Sequence, residues 1–137
     1  MRAQAEDRAA GKHAARIRVE PWLLEDTKLA AEFTAGSFDA AVCTLVLCTV
    51  PDPAATLAAI RRYLKPGGKL VALEHVRAKS DAGQWVQNLM NPFWRHLAEG
   101  CQLNRDTHAN IEAAGFRAAK HDEFDYGLPF ISGVYQA

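Results

Sequence analysis

The stretch that decides the fold is SFDAAVCTLVLCTVPDPAATLAAIRRYLKPGGKLVALEHV, residues 37–76. It holds two apolar runs, residues 38–47 and 69–76. Continuous rather than alternating apolarity predicts strands that are buried on both faces, as in the centre of a parallel sheet. Between the runs, Asp52-Pro53 is typical of a helix start, and Pro66-Gly67-Gly68 of a helix end. The order strand, helix, strand predicts a βαβ unit with a parallel pair.

Downstream of this unit the pattern predicts two helices and then two strands. The first helix covers residues 85–99, with a break or kink at Asn91-Pro92, because proline disfavours helical backbone in the residue before it. The second helix covers residues 104–114. Residues 116–124 and 129–135 are predicted strands, and their short connection indicates an antiparallel hairpin. The predicted fold class is therefore α/β, with a mostly parallel sheet and one reversed strand.

Upstream the signal is weaker. Residues 1–15 are rich in helix-forming residues and predict a helix. Ile17 to Val19 is a short strand candidate that Pro21 closes, and residues 22–33 predict one helical turn and a loop.

Length, charge and cysteine content limit the classes of protein to which this chain can belong. The 137 residues fit a single domain over residues 1–137, and zero formal net charge disfavours general nucleic-acid binding. An odd number of cysteines without a CxxC pair, and no apolar leader, favour a reducing cytoplasm. No apolar run is long enough to span a membrane. The histidines and cysteines show no metal-ligand spacing, so no metal site is expected.

The central stretch resembles class I S-adenosylmethionine-dependent methyltransferases, and the resemblance runs from about Ile17 to the C-terminus. It is strongest for the small-molecule branch, and above all for the methyltransferase-like thiol methyltransferases and their bacterial relatives. The motifs that carry it are CTLVLC at residues 43–48, LKPGG at 64–68, LEHV at 73–76, NPFWRHLAEGC at 91–101 and RDT at 105–107.

The resemblance implies a Rossmann-like sheet with strand order 3-2-1-4-5-7-6 and an antiparallel seventh strand. This chain would supply strands 3 to 7 and would lack the first two strands. None of its nine glycines is separated from another by one residue, so the GxGxG loop that lets the backbone approach the cofactor has no counterpart. We therefore expect the third strand to move beside the fourth, or a homodimer or partner chain to cover the edge of the fourth strand.

The implied cofactor is S-adenosyl-L-methionine. By resemblance, the backbone of Cys43, Thr44 and Leu45 lies against its methionine part, although Cys43 also fits a small buried apolar residue. Glu25 and Asp26 lie where the family often carries an acid that accepts from the adenine amino group. An ordinary solvated acidic pair is the alternative for these two residues.

His75 is the candidate catalytic residue, as a general base at the carboxyl end of a strand, where open α/β folds bind ligands. A hydrogen-bonded structural histidine is the alternative. Glu74 beside it, with Trp94 and Cys101 in the segment that forms a lid or wall in relatives, are the substrate-binding candidates. For Trp94 the alternative is an amphipathic helix that covers the sheet. Cys48 is predicted to be a packing residue.

The implied reaction is transfer of a methyl group to a small-molecule acceptor, a thiol or a hydroxyl, by a single in-line displacement. A non-catalytic methyltransferase remnant, or an interaction module that folds only against a partner, is the alternative. A dehydrogenase is disfavoured, because it too needs the glycine loop.

Overall fold

The structure, a computed structural model, describes residue 7, residues 17–24 and residues 26–137. The chain divides into two compact units, Met1–Glu32 and Phe33–Ala137. The helix predicted over residues 1–15 lies outside the described residues, apart from Asp7.

In the first unit, residues 17–20 form neither helix nor strand, so the strand predicted from Ile17 to Val19 is wrong. The guanidinium of Arg18 instead pairs with the carboxylates of Glu20 and Glu32. A short extended segment needs a neighbouring strand to satisfy its backbone groups, and these residues pair with no strand. Residues Thr27–Glu32 form helix α1, in agreement with the one helical turn expected there.

The second unit has a four-stranded sheet in its described residues, with helices connecting the strands. Strands and helices follow in the order β1 (Phe38–Thr44), α2 (Pro53–Tyr63), β2 (Leu64–His75), α3 (Asp81–Leu97), α4 (Thr107–Ala113), β3 (Arg117–Asp125) and β4 (Pro129–Gln136).

The sheet has the order β1-β2-β4-β3, with β1 and β2 parallel and β4 antiparallel to both of its neighbours. This is the order 4-5-7-6 that the family resemblance implies. The predicted βαβ unit, the C-terminal hairpin and the Rossmann-like α/β class are confirmed.

The core lies on one face of the sheet. Along β2 and β4 every second residue is buried, so the side chains of that face point inward. From α2, Leu57 and Ile60 are buried, as is Ile111 of α4. The Asp52 side chain caps α2 by accepting from Ala55 N–H at 3.0 Å, as the sequence predicts. The buried residues on this face of β2 and β4 include Leu70, Ala72, Glu74, Ile131, Gly133 and Tyr135.

The opposite face is open within the described part of the chain. Val42, Val71 and Leu73 are 71%, 36% and 38% exposed. The prediction that both central strands are buried on both faces is therefore wrong, because helices α2 and α4 supply buried side chains for one face only. No described strand pairs with the free edge of β1, so the expected move of a third strand beside it is also wrong.

Two boundaries differ from the prediction at the ends of these strands. β1 ends at Thr44 rather than at Leu47, because Leu45 adopts a left-handed backbone with φ 56° and turns the chain. Pro66-Gly67-Gly68 lies inside β2, and α2 has already ended at Tyr63. The glycines give this part of the strand an irregular register against β1 instead of terminating a helix.

Helix α3 is continuous through Asn91-Pro92, so of the predicted break or kink the break is wrong. Two side chains in the turn before the proline attach the helix to the segment that follows it. Asn88 Oδ1 accepts from the side-chain amide of Asn104, and Asn91 Oδ1 accepts from the Leu103 N–H, both at 2.8 Å. These bonds offset the hydrogen bond that Pro92 cannot donate within the helix. Gln87 is the one buried residue of α3, and the other residues of the helix are exposed or partly exposed.

Candidate functional site

Glu74 fixes the loop that follows β1. Its side chain is completely buried, and its two carboxylate oxygens accept from the backbone N–H groups of Val46 at 3.0 Å and Cys48 at 3.1 Å. The left-handed turn at Leu45 directs these N–H groups toward β2. Sequence reasoning assigned Glu74 to substrate binding. In the structure both of its oxygens accept hydrogen bonds from the loop.

Arg105 holds the same loop from the other side. Its Nη1 donates to the carbonyl oxygens of Leu47 and Val50, both at 2.7 Å. Burial lowers the pKa of the Arg105 guanidinium from its ordinary value. Sequence reasoning noted Arg105 only as part of an RDT motif, with no signal for this contact. Asp106, in the same motif, is the N-cap of α4 and accepts from Ala109 N–H at 3.0 Å.

The three residues predicted to lie against a cofactor are the last two of β1, Cys43 and Thr44, and the first of the loop, Leu45. Cys43 is buried, and burial raises the pKa of its thiol to about 11. Thr44 and Leu45 are exposed at the carboxyl end of β1. Asp26 lies in the first unit, where its Oδ1 accepts from Lys28 N–H at 2.9 Å at the start of α1. Glu25 lies outside the described residues.

His75, the candidate general base, ends β2 and is 2% exposed. Its ring meets the Phe130 ring edge-on, with the centroids 5.7 Å apart. Within residues 17–24 and 26–137, neither of its ring nitrogens has a hydrogen-bond partner. Burial lowers the pKa of His75 below its ordinary value of 6.5, so the imidazole is neutral at pH 7.

We expect His75→Met to stabilise the protein by about 1 kcal/mol at pH 7.5, because a buried polar group without partners is costly. The advantage should grow as the pH falls below about 6.5, since the unfolded wild type then binds a proton that the folded state resists. Urea denaturation of both proteins between pH 5 and pH 8 measures this difference. A variant that is less stable than the wild type at every pH from 5 to 8 would show that both ring nitrogens have hydrogen-bond partners.

The remaining substrate candidates lie in and after α3. Trp94 is partly buried, and its Nε1 is buried without a hydrogen-bond partner among the residues described. Cys101 follows the turn that ends the helix, and its Sγ is 3.6 Å from the Sγ of Cys48. The structure therefore brings Cys101 to the loop after β1. No contact joins Trp94 to His75 or Glu74 in the described hydrogen bonds and ring pairs.

A cavity of about 660 Å³ opens where β2 ends, between that strand and the β3–β4 hairpin. Its wall is partly apolar and partly charged, and Phe130, the ring neighbour of His75, is part of it. Sequence reasoning missed this cavity, because its walls come from four separated segments. The residues that matter most for its chemistry are Arg77, Lys79, Ser80, His108, Glu123 and Phe130.

A hydrogen-bonded network adjoins this cavity. The buried Tyr135 hydroxyl lies 3.3 Å from His108 Nδ1 and 3.0 Å from His121 Nδ1, and the two imidazole rings are tilted by 31° with centroids 4.1 Å apart. His121 Nε2 is 3.2 Å from the Glu123 carboxylate, which also pairs with Lys79. Burial raises the pKa of Tyr135 to about 12, so the hydroxyl keeps its proton.

The described ranges contain no cluster of three or more His, Cys, Asp or Glu residues arranged to hold a metal ion. In the same ranges, no helix combines the length and the apolarity needed to cross a membrane.

The methyltransferase domain family matches residues 1–72, more than half of the 137-residue chain. Human thiol S-methyltransferase TMT1B is 44% identical over 84 residues, which are 59% of this chain and 34% of that protein. The chain thus spans about a third of this relative's length.

Two solved structures share the fold. The [4+2]-cyclase SpnF superposes with a TM-score of 0.66 at 22% identity, over 89% of this chain and 40% of the cyclase. The trans-methyltransferase CalH, in complex with SAH, also gives a TM-score of 0.66, at 15% identity, over 100% of this chain and 40% of CalH. At these identities the likeness concerns the fold. The family match, the sheet order and the shared fold agree. This chain belongs to the methyltransferase domain family, as its resemblance to class I methyltransferases predicts.

Proposed function

We propose that this chain serves S-adenosylmethionine-dependent methyl transfer to a small-molecule acceptor, with a thiol favoured over a hydroxyl. The observation that carries the proposal is the 44% identity to a thiol S-methyltransferase over 84 residues. The fixed loop after β1 supports it. This loop lies at the carboxyl edge of a parallel pair, where open α/β folds bind their ligands.

The residues present fit part of a cofactor site. Thr44 and Leu45 present an exposed turn at the end of β1, and Glu74 holds the following N–H groups in place. We propose that Cys43, Thr44 and Leu45 contact the methionine part of S-adenosylmethionine, which would supply the methyl group. Glu25 or Asp26 would accept from its adenine amino group. The chain has no GxGxG loop to approach the rest of the cofactor.

The chain's own contribution to the reaction is alignment and a base. A buried, neutral His75 has a lone pair on one ring nitrogen, and that nitrogen can take the proton of an acceptor thiol or hydroxyl. We propose that the acceptor binds in the 660 Å³ cavity beside Phe130, which contacts His75. Holding the nucleophile in line with the methyl group would supply most of the rate enhancement. Trp94 and Cys101 remain substrate-contact proposals.

Calorimetric titration of the 137-residue chain with S-adenosylhomocysteine tests the proposal. We expect one saturable site at micromolar concentration, and no heat from a nicotinamide dinucleotide, the control ligand. A folded chain that binds neither ligand would instead favour a non-catalytic remnant or a partner-dependent module. Binding of the nicotinamide dinucleotide alone would indicate a dehydrogenase.

For partners, we propose that a second copy of the chain covers the edge of β1 with which no described strand pairs. The exposed Val42 on this strand favours an apolar contact, and the zero formal net charge means that two copies meet without net repulsion. The three cysteines are free thiols, which favours a reducing compartment such as the cytoplasm as the setting.

A further inference from the structure

Two thiols from distant parts of the sequence face each other beside the loop after β1. Cys48 Sγ and Cys101 Sγ are 3.6 Å apart, although 53 positions separate the residues. Cys48 is buried at 1% exposure, whereas Cys101 is partly exposed. One sulfur is therefore protected by the core, and the other is accessible to a small reagent.

The backbone already holds the two cysteines together. The N–H of Gln102, next to Cys101, donates to the Cys48 carbonyl at 2.9 Å. The Cys48 N–H donates to Glu74 Oε2 at 3.1 Å, and the Cys101 N–H donates to the Ala98 carbonyl at 2.9 Å. A disulfide has an S–S distance of about 2.05 Å, so the sulfurs need to approach by roughly 1.5 Å. Side-chain rotation can supply a movement of this size without displacing these backbone bonds.

We propose that Cys48 and Cys101 form a dithiol modification site, at which a peroxide produces an intramolecular disulfide. Cys101 sulfur attacks the peroxide, the O–O bond breaks, and a sulfenic acid and water result. Cys48 sulfur then attacks the sulfenic sulfur, the S–S bond forms, the S–O bond breaks, and the hydroxyl leaves as water with the thiol proton. In total, two thiols and one hydrogen peroxide give one disulfide and two waters, with two electrons passing to the peroxide.

The order of the two steps follows from the surroundings of each sulfur. Burial raises the pKa of the Cys48 thiol to about 12, so Cys48 is protonated at neutral pH and reacts second. Cys43 is buried in β1 with a pKa raised to about 11, and serves as an internal control. The product would tie the loop after β1 to the turn after α3, so that the loop could no longer separate from α3.

The test is mass spectrometry of the reduced 137-residue chain after one equivalent of hydrogen peroxide. We expect a mass loss of two hydrogens, one alkylatable thiol under denaturing conditions instead of three, and a rise in Tm of several degrees. Trypsin should release residues 29–61 and 96–105 as one linked species. Since residues 29–61 contain both Cys43 and Cys48, the Cys43→Ala variant is the matched control, and it should still give the linked species.

Cys48→Ala should stop at the sulfenic acid of Cys101, which dimedone traps. If this variant does not fold, phenylarsine oxide provides a second measurement on the wild type. It should bind the reduced chain at one equivalent through both thiols, and the oxidised chain at least tenfold more weakly. Three alkylatable thiols after peroxide, a Cys43–Cys101 link, or a link between two chains would each overturn the proposal.

Discussion

Glu74→Ala is expected to destabilise the protein by about 3 to 5 kcal/mol, a large share of the stability of a domain of this size. The carboxylate accepts from two backbone N–H groups, and Glu74 is completely buried. Alanine would leave both N–H groups without a partner and would also leave a cavity. Urea denaturation followed by circular dichroism measures the loss.

Glu74→Gln distinguishes the hydrogen bonds from simple packing. The amide has the same shape, but one of its two positions becomes a donor and faces another donor. We therefore expect about half of the alanine effect. Asp122→Ala is the matched control at an exposed acid, and should change the free energy of unfolding by less than about 0.5 kcal/mol. A loss below about 1 kcal/mol for Glu74→Ala would mean that water replaces the carboxylate and that the loop does not depend on it.

Val42→Lys should convert a dimer into a monomer if a second copy covers β1. Val42 is 71% exposed, and among the described strands β1 pairs only with β2. A charged side chain on a strand at the edge of a sheet opposes pairing with another strand. Light scattering after gel filtration should give about twice the chain mass for the wild type. For the variant, the dissociation constant should rise at least tenfold, equivalent to about 1.4 kcal/mol.

Leu97→Lys makes the same kind of change at an exposed apolar residue of α3 and should leave the dimer intact. Both variants should keep the wild-type circular dichroism spectrum, because neither side chain is buried. A monomeric wild type at millimolar concentration would contradict the proposal, and would leave the edge to a different chain.

Sequence patterns predicted the elements that depend on local chemistry. The N-cap at Asp52, the parallel pair around α2 and the C-terminal hairpin are confirmed, since each rests on residue types within a few positions of one another. The family resemblance supplied the strand order, which local patterns cannot specify.

The errors have a common physical origin, because each depends on a neighbour distant in sequence. A left-handed leucine at position 45 becomes tolerable when Glu74 binds the following N–H groups, and no local pattern reveals that bond. Pro92 stays inside α3 because Asn88 and Asn91, in the turn before it, attach the helix to the segment that follows α3. The apolar sequence of a strand such as β1 does not show whether another element covers its second face.

The sequence predicted only part of the candidate site, because the rest of it also depends on contacts between distant residues. His75 and Glu74 could be found because strand ends are visible in the sequence, and their positions at the end of β2 are as expected. Arg105 and the network around Tyr135 join separate segments, so no spacing in the sequence indicates them.

The position of β4 has a consequence for synthesis on the ribosome. This strand is translated after both β2 and β3, yet it lies between them. Until β4 has left the exit tunnel, β2 and β3 have no strand to join them, and the apolar residues of β2 are exposed to chaperones. The nascent chain can therefore form the β1–α2–β2 unit early, but completes this sheet only after β4 has emerged.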